Sequence, residues 1–365
     1  MKQICVTTGI FPPDIGGPAT FARQFTDWLS SQGIASNIVS LTNRKSYGFR
    51  ENLCNVKLIS RKQLLPFRFI TTIWNLSKYS RTHIYLVNGL FLEIAILGMF
   101  RNIDYAVKVP GDIVWERARN QRETTLSVEL YQGQESWKKK IMRYFFTRCL
   151  QKSRHVIVPN TTLKGLAIKW GVDNSMISIV SNGAKDIFFD NLNLINEPKK
   201  YDLITVGRLI PIKGLEELLK IAKKLNLSLA IVGSGPDEER LKKVREEIQV
   251  EAYFLGELRN EEVVSKLKES KYFIINSEHE GSPHALIEAL ALGMACFARS
   301  NSGTREILDG RNGFLYDSFE TLQQYIYKIS SDNIFLQKVT REARRYAESN
   351  FRQKNTFIKV FDLLK

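Results

Sequence analysis

Two glutamates with seven residues between them, Glu280 and Glu288, are the most specific chemical feature of the sequence. Glu280 falls in a predicted loop, whereas Glu288 lies in a predicted helix whose other positions are mostly apolar. A carboxylate in such surroundings costs free energy unless it accepts hydrogen bonds. The two vicinal hydroxyls of a ribose would donate them, and a capping or salt-bridging glutamate is the plainer alternative. We interpret the nearby His279 and His284 as structural, because no further metal ligands accompany them.

A pair of cations follows the first predicted strand of the second half of the chain. Arg208 and Lys213 lie in a segment that also contains Gly207, Pro211 and Gly214. A guanidinium can bind phosphate oxygens through two parallel hydrogen bonds, and an ammonium adds a compact charge. Ligands bind beyond the carboxyl ends of strands in open α/β sheets. The position therefore favours a diphosphate site over a solvated surface pair.

A glycine pair, Gly16 and Gly17, lies between the first predicted strand and the helix that follows it. Paired glycines allow backbone amides to approach a phosphate at a helix N-terminus, where the helix dipole favours negative charge. Taken alone, the pair is better explained as a tight strand-to-helix turn.

These motifs follow short apolar runs, which are typical of buried strands. The runs alternate with segments that have the apolar spacing of a helix, clearly in the second half of the chain and more loosely in the first. Alternation on this scale implies a parallel sheet covered on both faces. The predicted strands are Ile4–Thr8, Ile38–Leu41, Ile84–Val87, Tyr105–Val109, His155–Val158, Leu203–Val206, Leu229–Val232, Ala252–Leu255 and Tyr272–Asn276. Predicted helices of the second half cover Leu215–Leu225, Glu238–Glu247, Glu261–Ser270 and, as one or two helices, Asn333–Leu364.

The chain of 365 residues is too long for one hydrophobic core, so we expect two doubly wound domains. The segment Asp190–Lys200 has the polar, turn-rich composition of a linker. We therefore predict a first domain over residues 1–190 and a second over 191–345. A C-terminal helix over 346–365 is expected to pack back on the first domain.

Composition narrows the class of protein. The four cysteines stand singly without metal-ligand spacing, which indicates free, buried thiols. The longest apolar run, Leu90–Phe100, is too short to span a bilayer, and the first residues lack the features of a secretory signal. We expect a cytoplasmic protein without a transmembrane helix.

The net charge of +15 is concentrated in the first half of the chain. Residues 1–190 contain 26 Lys and Arg against 13 Asp and Glu, whereas residues 191–365 contain 27 against 25. This asymmetry suggests an anionic membrane, a phosphorylated acceptor or nucleic acid as a partner, although a solubilising surface explains it equally well. In the predicted helix Trp137–Arg154, we expect the apolar stripe to pack on the sheet, while Lys138, Lys139 and Lys140 attract anionic lipid.

Together these motifs resemble the retaining glycosyltransferases of family four. The glutamate pair, with Gly281 and Ala289 after its two members, resembles the signature of that family. The Gly16-Gly17 pair resembles its glycine loop, and the segment from Gly207 to Gly214 resembles its phosphate motif. Further matches occur in the same order along the chain, at Val158-Pro159-Asn160, Asn182-Gly183 and Asn312-Gly313-Phe314-Leu315. The resemblance implies the GT-B fold, in which two Rossmann-like doubly wound domains face each other across a cleft.

The resemblance also implies a nucleoside diphosphate sugar as co-substrate and a role for each site residue. Arg208 and Lys213 would bind the diphosphate, Glu288 the ribose hydroxyls and Glu280 the transferred sugar. Asp112 would take the acceptor-side role that a His holds in many members. The remaining donor-binding residues that the resemblance implies are Gly16, Gly17, Gly281, Ser282, His284, Ala285 and Leu286.

In this family the leaving phosphate takes the proton of the acceptor, so the resemblance implies no dedicated general base. The sequence has no Asp-x-Asp pair, and hard divalent ions usually need such oxygen ligands. We expect neither a metal nor a cofactor. The implied activity is transfer of a hexose-type sugar to a glycan or lipid-linked acceptor in cell-surface polysaccharide assembly.

Two other functions remain as alternatives. A nucleotide-sugar epimerase or glycan phosphorylase could use the same fold, because fold does not fix reaction. The basic first half also suggests nucleic-acid binding. The sequence lacks an RNP motif, a basic zipper or zinc-finger spacing, however, and nucleic-acid binding leaves the glutamate pair unexplained.

Overall fold

A computed structural model describes residues 2–12, 14, 16–190 and 199–365 of the chain. The chain divides into two compact units. Unit 1 comprises Met1–Ala118, Thr124–Val180 and Phe357–Lys365, and unit 2 comprises Arg119–Glu123 and Ser181–Thr356. The main division therefore falls at 180/181, ten residues before the predicted limit of 190/191. Most of the predicted linker, residues 191–198, lies outside the described residues.

Unit 1 is built on an eight-stranded sheet in the order β3-β4-β2-β1-β5-β6-β7-β8. Only β3 and β4 pair in antiparallel fashion. Most strand positions are buried, as expected where helices cover both faces of a sheet. The strands are β1 (Gln3–Thr8), β2 (Ser36–Thr42), β3 (Tyr47–Glu51), β4 (Cys54–Ser60), β5 (His83–Asn88), β6 (Tyr105–Lys108), β7 (His155–Val158) and β8 (Ile177–Ile179).

Helices connect these strands, and the end of the chain packs into the same core. The ring of Phe357 lies 5.8 Å from that of Phe21 and 5.6 Å from that of Phe25. Val360 and Leu364 are buried in this cluster as well. The helices are α1 (Gly17–Ser31), α2 (Leu65–Ser77), α3 (Phe91–Phe100), α4 (Ile113–Asn120), α5 (Trp137–Gln151) and α6 (Thr161–Lys169).

Unit 2 is built on a parallel six-stranded sheet in the order β11-β10-β9-β12-β13-β14. Its strands are β9 (Tyr201–Val206), β10 (Leu229–Val232), β11 (Ala252–Gly256), β12 (Ser270–Ile275), β13 (Ala295–Arg299) and β14 (Phe314–Tyr316). Its helices are α7 (Asp186–Phe189), α8 (Leu215–Leu225), α9 (Glu238–Ile248), α10 (Asn260–Lys268), α11 (His284–Ala291), α12 (Ser302–Arg305), α13 (Phe319–Ser331), α14 (Asn333–Asn350) and the first residues of α15 (Gln353–Asp362). Two doubly wound α/β units are thus present.

The direction of chain progression reverses between β9 and β12 in unit 2. From β9 the sheet grows outward through β10 to β11, and the chain then returns to add β12 on the other side of β9. The connecting helices therefore cover opposite faces of the sheet, and the loops at the carboxyl ends of β9 and β12 have a crevice between them. The position of the candidate site follows from this reversal.

Two glycines allow the loops at this edge to pack backbone against backbone. Gly214 has φ +61°, and a Cβ there would lie 2.5 Å from the carbonyl oxygen of Asn276. A Cβ at Gly303 would lie 2.5 Å from the carbonyl oxygen of Glu280 and 2.7 Å from that of Gly281. Larger residues at either position would push these loops apart.

Among the described residues, no helix combines the length and the apolar character that crossing a membrane requires.

The close packing at Gly303 gives a first testable prediction. Gly303→Ala should lower the free energy of unfolding by about 1–3 kcal/mol, because two backbone carbonyls cannot move aside as a side chain would. Urea denaturation measures this change. Gly165→Ala in α6 is the matched control, since a Cβ there meets no atom within 4 Å and alanine favours the helix. Equal effects of the two substitutions would contradict close packing at Gly303.

Candidate functional site

The loops that follow β9 and β12 are bonded to each other through their backbones. The amide of Glu278 donates to the carbonyl oxygen of Ile212 at 2.9 Å. Asn276 Nδ2 donates to the carbonyl oxygen of Gly214, also at 2.9 Å. Tyr316 fixes the Asn276 amide from the other side by donating to its Oδ1 at 2.8 Å. The two loops are therefore held at a fixed separation.

This arrangement brings Lys213 and Glu280 together. Lys213 ends a 3₁₀ turn, Pro211–Lys213, and its Nζ lies 2.5 Å from Glu280 Oε1. The Lys213 side chain is 24% exposed and that of Glu280 is 10% exposed. An ion pair with this little solvent exposure is screened less than one at the surface. The ammonium group thus orients the Glu280 carboxylate at the mouth of the crevice.

The loop that carries Glu280 is also bonded to the segment after β13. Ser302 Oγ donates to the carbonyl oxygen of Glu280 at 3.3 Å, and Asn301 Nδ2 donates to that of Ser277 at 2.9 Å. The Asn301 side chain caps the short helix α12 by accepting from the amides of Gly303 and Thr304. These positioning residues were not predicted, and only the short polar stretch after a predicted apolar run could have indicated them.

Asn182 fixes the start of helix α11. Its backbone amide donates to Ser282 Oγ at 3.0 Å, and its Nδ2 donates to the carbonyl oxygen of Ser282 at 2.7 Å. The resemblance included Asn182-Gly183 without a role for either residue. The structure gives Asn182 one, because it holds the residue before Pro283 in place through two hydrogen bonds.

Helix α11 begins directly after this anchored segment. The first amides of an α-helix have no acceptor within the helix, and the helix dipole makes this end attractive to anions. His284, Ala285 and Leu286 are the first three residues of α11. Their backbone amides are therefore suited to bind phosphate or hydroxyl oxygens, as the sequence predicts for them.

Glu288 lies one turn further along α11, half-buried, and its carboxyl group makes no hydrogen bond with another described residue. Burial raises the pKa of this group from 4.5 to about 8, and the charge of Lys185 opposes the rise. At neutral pH the carboxyl group is therefore mostly protonated in the unliganded protein. Such a group gains most from a ligand that donates hydrogen bonds to it.

Arg208 provides a cation at the same edge of the sheet. It follows β9 by two residues and is exposed, and its guanidinium makes no hydrogen bond or ion pair with any residue in the described part of the chain. Arg208, Lys213, Glu280 and Glu288 thus all belong to unit 2, and all lie on segments that follow β9 or β12.

The glutamate segment also contains two histidines, His279 and His284. His279 is buried and His284 begins α11. Within residues 2–12, 14, 16–190 and 199–365, no three His, Cys, Asp or Glu side chains are grouped so that they could hold a metal ion.

In unit 1, Gly16 and Gly17 lie at the start of α1, where Gly16 is the residue that precedes the first turn. Two neighbours in this loop, residues 13 and 15, lie outside the described residues. Arg61, which was not predicted, fixes the loop by donating to Asp14 Oδ2 at 2.7 Å and to the carbonyl oxygen of Gly9. The glycines are therefore at a helix N-terminus, as the sequence indicates.

Asp112 has contacts that differ from the acceptor-side role given to it. Its side chain is fully buried, and Oδ1 accepts from the amides of Val114 and Trp115 at 3.0 and 3.2 Å, as in an N-cap of α4. Arg143 binds both carboxylate oxygens at 2.8 and 2.7 Å, and Gln132 donates to Oδ2 at 2.8 Å. No oxygen is left for an acceptor. The geometry supports a structural role, so Asp112 is not part of our proposal.

The second half of the chain resembles a known protein family. The family model for glycosyl transferases group 1 matches residues 189–346. A GDP-mannose-dependent alpha-mannosyltransferase of Mycolicibacterium smegmatis is 34% identical over 113 residues, which is 31% of this chain and 29% of that protein. The chain spans about a third of the length of the first curated relatives that it matches.

Solved structures resemble the whole chain. Sucrose-phosphate synthase from Thermosynechococcus elongatus matches with a TM-score of 0.80 at 16% identity, over 100% of this chain and 98% of that one. HepE of Anabaena, in complex with UDP and glucose, matches with a TM-score of 0.77 at 14% identity, over 100% and 99%. These similarities confirm the predicted fold. Residues 189–346 thus resemble the glycosyl transferases group 1 family, and the chain as a whole has the GT-B fold.

Proposed function

We propose that the chain is a retaining glycosyltransferase that moves a hexose-type sugar from a nucleoside diphosphate sugar to a glycan or lipid-linked acceptor. The observation that carries this proposal is the grouping in unit 2. A Lys213–Glu280 ion pair precedes a helix N-terminus, and that helix carries Glu288, whose carboxyl group makes no hydrogen bond to a described residue. The cations and the helix amides match the diphosphate of one ligand, and the carboxyl groups of Glu280 and Glu288 match its sugar and its ribose.

Arg208, Lys213 and the first amides of α11 would bind the diphosphate. When the bond between the anomeric carbon and the diphosphate oxygen breaks, negative charge develops on the leaving oxygens. Preorganised cations and amides stabilise that charge more strongly than the charge of the bound donor, and therefore accelerate the reaction. Because these groups already supply positive charge, we propose that the reaction requires no metal.

Lys213 would change partner when the donor binds. In the unliganded protein its ammonium group neutralises Glu280. A diphosphate carries more negative charge than one carboxylate, so it would attract the ammonium group, and Glu280 would then accept from hydroxyls of the sugar. The ion pair thus keeps both side chains in the crevice until the donor replaces it.

Glu288 would accept hydrogen bonds from the ribose hydroxyls. The ionised form accepts them more strongly than the protonated form, so donor binding should lower the pKa of Glu288 from its raised value. Binding at neutral pH would therefore release a proton. The energetic cost of the buried carboxyl in the free protein is recovered in the complex.

The acceptor and the place of action are further parts of the proposal. HepE binds UDP and glucose, and the mycobacterial relative is named for GDP-mannose, so a nucleotide-linked hexose is the class of donor to test. We propose a cytoplasmic enzyme of cell-surface polysaccharide assembly. The charge of +13 in residues 1–190 supports docking of this part on an anionic membrane, where a lipid-linked acceptor would be available.

Binding and turnover of nucleotide sugars test the proposed activity. UDP-, GDP- and ADP-hexoses are screened by calorimetry, and the tightest donor is assayed for hydrolysis and transfer. Arg208→Ala and Lys213→Ala should each lower turnover roughly tenfold or more with the fold intact, because both groups act on charge that grows in the transition state. Lys243→Ala, which removes an exposed cation of α9, is the control.

Near-normal turnover of either site variant would remove the diphosphate assignment. Conversion of the nucleotide sugar to its epimer, without transfer, would assign the site to an epimerase.

Glu288→Gln gives a second prediction with two independent measurements. The donor KM should rise more than kcat falls, because the interaction with the ribose is present before and during the reaction. The substitution should also stabilise the folded protein, although it weakens donor binding. The unfolded wild type loses its Glu288 proton near the ordinary pKa of 4.5, whereas the folded protein keeps it until about 8, so wild-type stability falls as pH rises through this window.

The glutamine variant has no ionisable group at this position, so it does not lose stability in this way as pH rises. Its melting temperature should therefore rise relative to that of wild type between about pH 5 and pH 8. Glu247→Gln, at an exposed position of α9, should show no such trend. A constant difference between Glu288→Gln and wild type across this range would contradict the raised pKa. A kcat defect with unchanged donor KM would contradict ribose binding.

The role of the cations also predicts that transfer continues in EDTA. Arg208, Lys213 and the α11 amides neutralise the leaving group, so removal of divalent ions should leave kcat unchanged. Activity is measured after dialysis against the chelator. Loss of activity that Mg²⁺ or Mn²⁺ restores would refute metal independence. The class of donor would be unaffected, because the binding screen tests it separately.

A further inference from the structure

Helix α2 of unit 1 exposes its large apolar side chains. Phe67, Ile70 and Trp74 are 65%, 64% and 61% exposed. Their spacing of three and four residues places them on one stripe of the helix. Two leucines at the start of the helix, Leu64 and Leu65, are 71% and 67% exposed. The stripe therefore runs along most of the 13 residues of α2.

The opposite face of α2 is unusually polar for a helix packed on a sheet. Thr72 and Asn75 are buried, and both satisfy their side chains within the helix, on the carbonyl oxygens of Arg68 at 2.7 Å and Thr71 at 2.8 Å. A surface helix normally buries its apolar stripe and exposes its polar one. Leu76 is buried beside Thr72 and Asn75, but Phe67, Ile70 and Trp74 stay exposed, so the packing of α2 in unit 1 does not account for this apolar stripe.

The neighbouring helices continue this surface. Helix α3 packs against both α2 and α5. At the end of α3, Met99 and Phe100 are 61% and 82% exposed. Along α5, Trp137, Ile141 and Tyr144 are 69%, 51% and 53% exposed, again at helical spacing.

The orientation of α5 corrects the expectation drawn from the sequence. The stripe of Trp137 and Ile141 was expected on the sheet, with Lys138, Lys139 and Lys140 in water. The structure exposes the stripe and buries Lys139, because α5 packs through Phe146, Cys149 and Leu150. Only Lys138 and Lys140 of the three lysines are exposed.

The charges around this surface indicate what covers it. Residues 61–101 contain six Lys and Arg and a single acid, Glu93, and residues 137–154 contain no acid. Of the seven Lys and Arg in the second segment, Lys139 is buried and Arg143 binds Asp112, so the other five can act at the surface. At the end of the α2 stripe, Lys78 Nζ lies 3.5 Å from the centre of the Trp74 ring. Two copies of so basic a surface would repel each other, which argues against self-association. An anionic lipid surface complements both the charge and the apolar stripe.

We infer that α2, α3 and α5 form a membrane-docking face, on which Phe67, Ile70 and Trp74 enter the headgroup and acyl boundary of an anionic bilayer. Helix α2 lies parallel to the membrane plane, and the surrounding Lys and Arg contact lipid phosphates. Lys78, with its stem along the Trp74 ring, reaches the headgroups from the edge of the stripe. The inference rests on the proposed docking of residues 1–190 but not on the transferase activity.

Sedimentation with vesicles tests the docking face. The full chain should bind vesicles of phosphatidylcholine that contain phosphatidylglycerol, and not phosphatidylcholine alone. Phe67→Gln, Ile70→Gln and Trp74→Gln together should weaken this binding roughly tenfold or more, because the apolar contribution is lost while the charges remain. The matched control is Tyr327→Gln with Ile334→Gln, two side chains of unit 2 that are 74% and 83% exposed. Its binding should equal that of wild type.

A charge variant separates attraction from insertion. Lys138→Glu with Lys140→Glu should weaken binding in a salt-dependent manner, whereas the apolar variant should remain weak at every salt concentration. Lys139 is left unchanged because it is buried. Calorimetric binding of the tightest nucleotide sugar from the donor screen, at the wild-type level in the apolar variant, shows that the fold and the donor site are intact.

Three results would overturn the inference: no binding of wild type to anionic vesicles, equal binding of the apolar variant, or equal binding to neutral vesicles. Light scattering supplies a further contrary result. A wild-type dimer that the apolar variant converts to a monomer, without lipid binding by either, would assign the face to a second copy of the chain. None of these results bears on nucleotide-sugar turnover, which is measured separately.

Discussion

The adjacency of β9 and β12 is the constraint on which the site in unit 2 depends. Because the chain builds the sheet outward from β9 and then returns to its other side, the loops after these strands face one another at a single edge. Gly214 and Gly303, which have no Cβ, then allow the neighbouring backbones to come into close contact. Lys213 and Glu280, 67 positions apart in sequence, form an ion pair only because of this geometry. The rest of the site follows from the same constraint, since α11 starts where the Glu280 loop ends.

The site retains a group that weakens the unliganded fold. Glu288 has a raised pKa because burial disfavours its charge, and no described residue bonds to its carboxyl group. Lys213 and Glu280, by contrast, satisfy each other. The donor would therefore meet two kinds of partner, one that must exchange an existing ion pair and one that gains its first hydrogen bonds. The first kind favours specificity for a strongly charged ligand, and the second contributes binding free energy through hydrogen bonds that the carboxyl group makes to no described residue.

Much of this could be predicted from sequence, and the failures have physical reasons. All nine predicted strands are present, because buried parallel strands are short apolar runs. Five strands were missed: β3 and β4 form an antiparallel pair at the sheet edge, β8 and β14 are only three residues long, and β13 also escaped prediction. The four unit 2 side chains were identified by their motifs, whereas Asn182, Asn301 and Ser302 act through backbone contacts that no spacing reveals. Asp112 was assigned by resemblance. Its position directly before a helix already allowed an N-cap, and the partner that completes its role, Arg143, lies 31 residues away.

Helix α2 shows why amphipathic periodicity alone does not tell which face of a helix is buried. The stripe of Phe67, Ile70 and Trp74 is compatible with a core and with an external apolar surface, and in the structure it is exposed while Thr72, Asn75 and Leu76 are buried. Both polar side chains bond within their own helix, so they can be buried on the sheet at little cost and leave the apolar stripe outside. The excess positive charge of residues 1–190 then has a structural context, since the exposed Lys78, Lys138 and Lys140 lie at the end of α2 and on α5, which also expose apolar side chains. In α2 and α5 alike, the face that packs on the unit therefore determines which lysines and apolar side chains are exposed together.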